Sequence, residues 1–324
     1  MLKTRITELF GIDYPIIGGG MLWLSRAELV ASISNAGGLG IISSATFQSP
    51  SDLRDEIRKT KSLTDKPFGV NIPFIPTIRD ISYEEIINTV IDEGVKIVET
   101  AGRSPEPYMP LFKEAGVKVM HKTPGVRYAQ TAERVGVDAV AILGYEAAGH
   151  IGLEGVTNFV LIRRAARVLK VPVLAAGAIS DAASLVAALA LGADGVVVGT
   201  AFMLAKESLA HDRIKEWMLE AKENDTMLIQ HSIRNTARVM KNPPAEKTLE
   251  MENKGATLEE LIPVISGLKE KELMETGNKE AGIIHCGQVV GVIDRVKTIK
   301  EIIDDMISGA QAIGDRLKGL GVLT

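Results

Sequence analysis

The sequence contains a single cysteine, Cys286, among 324 residues. One thiol can form neither an intramolecular disulfide nor a cysteine-rich zinc site. The absence of disulfides is typical of reducing compartments, and we expect a cytoplasmic protein. The first residues, MLKTRITELF, lack the apolar core of a signal peptide, which favours the same location.

A surplus of positive charge is also missing. The chain carries 37 Lys and Arg against 41 Asp and Glu, a formal net charge of −4. Nucleic-acid binding needs clustered Lys and Arg, so we expect no nucleic-acid partner. The most apolar stretch, 171–205, is interrupted by Asp181 and Asp194 and leaves no segment long enough to span a bilayer. These features predict a globular protein with a small-molecule substrate and no membrane partner.

Aromatic residues make up only 4% of the chain, whereas glycine occurs 31 times. Many glycines stand where a helix would turn into a strand, as at Gly94, Gly116 and Gly136. Short runs rich in Val and Ile, typical of parallel strands buried on both faces, follow such signals. Eight of these runs precede residue 205: 14–18, 38–42, 68–72, 96–100, 118–122, 139–143, 173–176 and 195–198.

Helical patterns alternate with these runs, at 26–36, 51–59, 126–135, 158–169 and 181–191. Such alternation predicts either a (β/α)₈ barrel or a doubly wound sheet. Eight strands favour the barrel, and the chain has no G-x-G-x-x-G fingerprint of the open sheet. After Phe202 the sequence becomes charged and helical. We therefore predict an α/β TIM barrel, formed by 1–205 and about 286–324, with a helical subdomain at about 206–285. A final amphipathic helix, 298–317, should pack back on the barrel.

The active site of such a barrel lies at the carboxyl ends of its strands. Gly177 and Gly199 follow the last two runs, where a missing Cβ lets backbone N–H groups approach a phosphate, and Thr200 adds a hydroxyl. The alternative is that these glycines only end strands. Gly20 and Met21 follow the first run, in a loop that either lies against a flat ligand or is simply permissive.

Three further groups carry potential chemistry. His150 lies among small residues after the sixth run, where an imidazole could accept or donate a proton. Lys122 ends the fifth run and is a candidate contact for an anion or a cofactor ring. Arg234 and Arg238 are four apart on a predicted helix, where they share a face that either binds an anion or is solvated. The other four histidines show no metal-ligand spacing, so we expect no metal and expect these residues to be structural or on the surface: His121, His211, His231 and His285.

The ordered set of motifs resembles, over nearly the whole chain, the FMN-dependent nitronate monooxygenase (2-nitropropane dioxygenase) family. That family includes NADH:quinone reductases, to which this chain is most similar, and flavin-type enoyl-ACP reductases. The segments that carry the resemblance are TRIT, YPI, GGMLW, NAGGLG, KPFGVN, ETAG, HK, AGHIG, AAG, GTAF and RNTAR, which begin at residues 4, 14, 19, 35, 66, 99, 121, 148, 175, 199 and 234.

The resemblance implies a flavin-binding barrel and assigns roles to individual residues. His150 would be the active-site histidine, and Pro73 and Pro76 would belong to the loop at the entrance. One departure concerns the phosphate loop, where the family often has Gly-Gly and this chain has Gly177-Ala178. The residues that would contact FMN are Gly20, Met21, Leu22, Asn71, Lys122, Ala148, Gly149, Ala176, Gly177, Gly199 and Thr200.

The function implied is oxidation of a nitronate or of NAD(P)H through bound FMN, with NADH or NADPH as a candidate electron donor. Alternatives within the family are an NADH:quinone reductase and an enoyl-ACP reductase. Outside it, a flavin-free phosphate-ligand isomerase or aldolase would use Lys122 as a Schiff-base lysine. A non-catalytic ligand-binding barrel and a homodimeric assembly also stay open.

Overall fold

A computed structural model describes residues 2–75 and 82–322, and its strands agree closely with the eight predicted runs. Eight parallel strands form one sheet: β1 (Ile16–Gly18), β2 (Gly40–Ser43), β3 (Phe68–Phe74), β4 (Ile97–Gly102), β5 (Lys118–Thr123), β6 (Ala139–Leu143), β8 (Val173–Ala176) and β9 (Gly195–Val198). Their order in the sheet is β1-β9-β8-β6-β5-β4-β3-β2.

The two edge strands meet and close the sheet into a barrel. Ile17 bridges Leu39 in parallel. The backbone N–H of Gly18 donates to the Leu39 carbonyl at 2.9 Å, and the N–H of Leu39 donates to the Ile16 carbonyl at 3.0 Å. Closure removes the exposed edges, as in a TIM barrel, so the predicted α/β barrel is confirmed.

Helices cover the outside of the barrel. The last helix packs against two others, as predicted, and buries Ile299, Ile302, Ile303 and Met306. Gly94, Gly116 and Gly136 have φ between 65° and 92° and end helices in the left-handed conformation. The helices are α1 (Arg5–Phe10), α2 (Ala27–Asn35), α3 (Pro50–Leu63), α4 (Tyr83–Asp92), α5 (Met109–Glu114), α6 (Val126–Val135), α7 (Asn158–Val168), α8 (Ala182–Leu191), α9 (Thr200–Met203), α10 (Asp212–Leu219), α11 (Pro243–Asn253), α12 (Leu258–Ile265), α13 (Gly267–Thr276) and α14 (Ile299–Gly319).

The segment after α9 contains strands as well as the predicted helices. β10 (Thr226–Ile229) and β11 (Ala237–Met240) form an antiparallel hairpin, and β11 also pairs with β7 (Gly149–His150) at the barrel mouth. The helix predicted for Arg234 and Arg238 is therefore wrong, because Arg234 lies in the turn at φ 54° and Arg238 is buried in β11. Polar residues within these four-residue strands hide the alternation that would have revealed them.

Side chains alternate between the barrel interior and the surrounding helices, because successive strand residues point to opposite faces. Ile17, Ile41, Met120 and Leu174 belong to the cluster that fills the interior. Their neighbours in sequence pack outward beneath the helices. The same alternation directs Asn71, Glu99 and Lys122 inward at the carboxyl ends of β3, β4 and β5. In the described part of the chain, no helix is long and apolar enough to cross a membrane.

Close packing between β2 and α2 makes Gly40 irreplaceable. A Cβ on Gly40 would lie 2.1 Å from the Val30 carbonyl oxygen, whereas a Cβ on Gly314 in α14 would meet nothing within 4 Å. We expect Gly40→Ala to lower the free energy of unfolding by at least about 2 kcal/mol. The matched control, Gly314→Ala, should raise it by about 0.5–1 kcal/mol, because alanine favours a helix over glycine. Denaturant unfolding of both variants checks this; equal stability would contradict the packing.

Candidate active site

A cavity opens at the carboxyl ends of the barrel strands. Eight of the sequence-predicted residues line it: Gly20, Met21, Lys122, Ala148, Ala176, Gly177, Gly199 and Thr200. Eight more complete the lining: Gly19, Leu143, Ala147, Ala178, Ile179, Val197, Gly287 and Val289. A second cavity, between α8 and α14, is larger at about 380 Å³ but lies on the outside of the barrel and contains none of the predicted residues.

The other predicted residues that the structure describes are not part of this lining. Leu22 Cδ2 lies beside Gly267 at the start of α13. Gly149 and His150 form β7 beside the mouth. Pro73 lies in β3, opposite Ala101 of β4. Pro76 lies outside the described residues.

The loop after β1 brings bare backbone against a polar side chain. A Cβ on Gly20 would lie 2.6 Å from the Asn71 Cβ, so no other residue fits there without displacement. The Ser25 hydroxyl holds the loop, accepting from the Met21 N–H at 2.8 Å and donating to the Gly19 carbonyl at 3.0 Å. Gly20 is therefore required by close approach rather than by loop flexibility.

A buried polar network fills the interior beneath this loop. Asn71 Nδ2 donates to Glu99 Oε1 at 2.7 Å, and Lys122 Nζ donates to the same oxygen at 2.8 Å. Glu99 is fully buried, and its second oxygen, Oε2, has no hydrogen-bond partner among the described residues. A buried carboxylate is tolerated only when it is paired, so Lys122 and Asn71 are fixed in place by Glu99. Glu99 Oε2 is therefore a buried acceptor that the described protein groups leave unsatisfied.

The opposite side of the cavity is made of backbone from β8, β9 and the segment around Gly287. A Cβ on Gly177 would lie 2.4 Å from the Ala147 Cβ, whereas a Cβ on Gly199 would meet nothing within 4 Å. The Thr200 hydroxyl accepts from the Gly287 N–H at 3.1 Å and also hydrogen-bonds the Cys286 thiol. The amino terminus of α8 is capped by its own Asp181, so the polar groups that face the cavity on this side come from the loop backbone and Thr200.

His150 lies at the rim, where solvent still reaches its ring although protein surrounds the other sides. Burial is the main cause that lowers the His150 pKa to about 4, and nearby His285 and Lys122 act in the same direction. A hydrogen bond with Gln230 partly opposes them. His150 therefore remains a neutral imidazole at neutral pH, the form that accepts a proton.

His121 has a different environment from the rim histidine. Its position on β5 turns it outward, and its Nδ1 hydrogen-bonds the Thr100 hydroxyl at 2.9 Å. Burial, together with Lys122, lowers the His121 pKa to about 4. A neutral histidine held between strands and helices stabilises the wall rather than contacting the cavity.

Comparison with known proteins decides the family. The model of the family described as nitronate monooxygenase matches residues 3–309. The chain belongs to the nitronate monooxygenase family. It is therefore an oxidoreductase of that family, built on the barrel described above.

Relatives within the nitronate monooxygenase family differ in their named activities. The chain is 32% identical to a 5-hydroxy-7a-methyl-1-oxo-octahydro-1H-indene-4-carboxyl-CoA dehydrogenase of Rhodococcus jostii, with 99% of each chain covered. It is 32% identical to a probable nitronate monooxygenase of Staphylococcus aureus, over 74% of this chain and 79% of that one. The solved structure of FabK from Thermotoga maritima is 36% identical, with a TM-score of 0.91 over 99% of this chain and 100% of that one.

Several residues around the site were not among the sequence-predicted set. Glu99 could have been singled out, because a carboxylate within an apolar strand is rarely buried without a purpose. Gly287 and Val289 come from beyond the eighth strand, and no local pattern connects them with the barrel mouth. His285, predicted to be structural or on the surface, stands 5.6 Å from His150 between ring centroids.

The alanine at position 178, where the family often has glycine, has a strained backbone conformation. Ala178 adopts φ 54°, the left-handed region that glycine occupies without strain. We expect Ala178→Gly to raise the free energy of unfolding by about 1 kcal/mol, since it relieves this strain. Ala187→Gly, an exposed position within α8, is the matched control and should lower it by about 0.5–1 kcal/mol. Thermal unfolding compares them; a loss of stability in both variants would contradict strain at Ala178.

Proposed function

We propose that this protein is an FMN-dependent oxidoreductase with its active centre at the barrel mouth. The observation that carries the proposal is the cavity with bare backbone on two sides, at Gly20 and Gly199, beside the network of Asn71, Glu99 and Lys122. A flat aromatic ligand fits against backbone that has no side chains. A phosphate suits loop N–H groups and a hydroxyl.

The residues present are compatible with FMN. Asn71 and Lys122 would contact the ring, Gly177, Gly199 and Thr200 would hold the phosphate, and Met21 and Ala148 would border the ligand. The unpaired Glu99 Oε2 supports a polar group in this layer, because orphaned buried acceptors are unfavourable. When bound, FMN supplies the transfer of hydride or single electrons, which protein side chains cannot provide.

The protein's own residues would position the substrate and handle its proton. The Lys122 ammonium, held by Glu99, would stabilise negative charge at the mouth. Neutral His150 would remove a proton from an acidic substrate carbon or donate a hydrogen bond to a substrate oxygen. Met21 and Val289, apolar residues of the cavity wall, would limit access of water.

Nitronate or NAD(P)H oxidation is the reaction class we favour, in keeping with the family. An acyl thioester substrate is the second candidate. It is supported by the carboxyl-CoA dehydrogenase relative, which matches along 99% of each chain. An enoyl thioester would then accept the electrons in place of oxygen or a quinone. A homodimer and the choice between NADH and NADPH remain predictions.

The flavin-free alternative, with Lys122 as Schiff-base lysine, has a structural difficulty. A Schiff base requires a neutral amine with a free lone pair, but Lys122 Nζ forms an ion pair with fully buried Glu99 at 2.8 Å. Separating this pair would leave a carboxylate buried without a counter-charge.

The discriminating experiment adds FMN to the purified protein and then mixes the complex anaerobically with NADH, NADPH, a nitronate and a saturated acyl-CoA, one at a time. Bleaching of the flavin absorbance by any one of them identifies the donor class. Reoxidation of the bleached protein by oxygen, a quinone or an enoyl-CoA then identifies the acceptor. Absence of flavin binding would contradict the proposal, and binding without any bleaching would support a non-catalytic ligand-binding barrel.

Gly199 provides a test of the phosphate side. Its φ of −117° lies outside the left-handed region that favours glycine, and a Cβ there meets no protein atom within 4 Å. We expect Gly199→Ala to fold normally but to weaken FMN binding by at least about tenfold, because the methyl group occupies ligand space. Gly314→Ala is the control with unchanged affinity. Fluorescence titration with FMN measures both, and unchanged affinity in Gly199→Ala would remove Gly199 from the site.

His150 provides a test of the chemical step. We expect His150→Ala to bind FMN as the wild type does, while kcat/KM for the identified substrate falls by about 10²–10⁴-fold, the range typical of a lost acid or base. His211→Asn is the matched control, because His211 caps α10 and asparagine can replace it as the cap. Unchanged turnover in His150→Ala would exclude the catalytic role.

A further inference from the structure

The antiparallel sheet at the mouth brings two histidines together. β10 occupies one edge of β11, and β7 pairs with the other edge, where His150 stands opposite Ala237. On that same edge, Val239 bridges His285, two residues further along β11. The backbone therefore sets the two histidines end to end, with ring centroids 5.6 Å apart and an angle of 40° between the rings.

The second histidine is linked to a buried carboxylate. His285 Nδ1 hydrogen-bonds Glu270 Oε1 at 3.1 Å, and Glu270, on α13, is 5% exposed. The other ring nitrogen, Nε2, is buried and has no hydrogen-bond partner among the described residues. A carboxylate hydrogen-bonded to Nδ1 favours the imidazolium form of His285, and the positive end of this ion pair is the ring beside His150.

We propose that the Glu270–His285 pair is a positioning device for His150, which places the imidazolium of His285 beside its ring and so extends to lower pH the range in which His150 is a neutral base. This rests on the role of His150 in the proposed function. Neither Glu270 nor His285 is required to touch the substrate.

The charges on the surrounding elements agree with this arrangement. Desolvation alone would disfavour the His285 imidazolium, but attraction to Glu270 and their hydrogen bond outweigh it and raise the His285 pKa. Around His150, the facing charged groups are His285 and, from β5, Lys122, and both disfavour a second positive charge. Arg238 on β11 is turned away, donating to the Tyr145 carbonyl and the Thr226 hydroxyl. His231 is engaged with the Thr236 hydroxyl.

A variant that removes the charge of Glu270 should raise the pKa of His150. Glu270→Gln keeps an oxygen that accepts from His285 Nδ1 but removes the counter-charge, so His285 becomes neutral at lower pH than before. The repulsion on His150 then disappears, and the His150 pKa rises towards its ordinary value. His150 is consequently protonated, and lost as a base, at a higher pH than in the wild type.

The test follows histidine titration by NMR in protein labelled with ¹⁵N-histidine, with the His150 signal identified by its loss in His150→Ala. In Glu270→Gln and His285→Gln, we expect the His150 midpoint to rise by about one pH unit. Glu272→Gln is the matched control, because Glu272 lies on the same helix but pairs with Lys269 at the surface. It should leave the midpoint unchanged.

A parallel pH profile of kcat/KM separates positioning from a merely structural role. The acid limb should move to higher pH in Glu270→Gln and His285→Gln, and Glu270→Asp should restore it at least in part. A His150 midpoint that stays at its wild-type value in Glu270→Gln or in His285→Gln would overturn the proposal. The NMR titration needs neither FMN nor substrate, so its result stands even if the proposed oxidoreductase activity is not found.

Discussion

The buried carboxylate of Glu99 is the constraint on which the active-site geometry depends. A carboxylate removed from water inside the barrel is unfavourable by several kcal/mol unless it is paired and hydrogen-bonded. Lys122 and Asn71 satisfy one of its oxygens, from the strands on either side. Because these contacts offset the burial of Glu99, the two side chains cannot turn elsewhere. They stay at the mouth in one conformation, ready for a ligand.

The glycines complete the mouth by leaving space rather than by making contacts. Gly20 lies so close to Asn71 that a side chain would displace the network, whereas Gly199 leaves the opposite wall open. Ala178 occupies a position that suits glycine, because its backbone adopts the left-handed conformation there. Low aromatic content fits this picture: the cavity wall is backbone and small side chains.

The barrel was accessible from sequence because buried parallel strands and their glycine turns produce local patterns. All eight strands lie within a few residues of the runs at 14–18 to 195–198. The hairpin of β10 and β11 could not be predicted from the sequence, because four-residue strands with polar positions resemble a surface helix. Cavity residues at strand ends, such as Lys122 and Gly199, followed from the barrel rule. Glu270 and His285 did not, because only the tertiary pairing of β11 brings them to His150.

In the proposed function, Glu99 organises a flavin site at the barrel mouth. Titration of cofactor-free protein with FMN, followed by flavin fluorescence, tests it when wild type and Glu99→Gln are compared. The account predicts saturation at one FMN per chain in the wild type. It predicts a Kd at least about tenfold higher in Glu99→Gln, whose neutral amide no longer fixes Lys122. Equal affinity in the two proteins, or no saturable binding in the wild type, would contradict it.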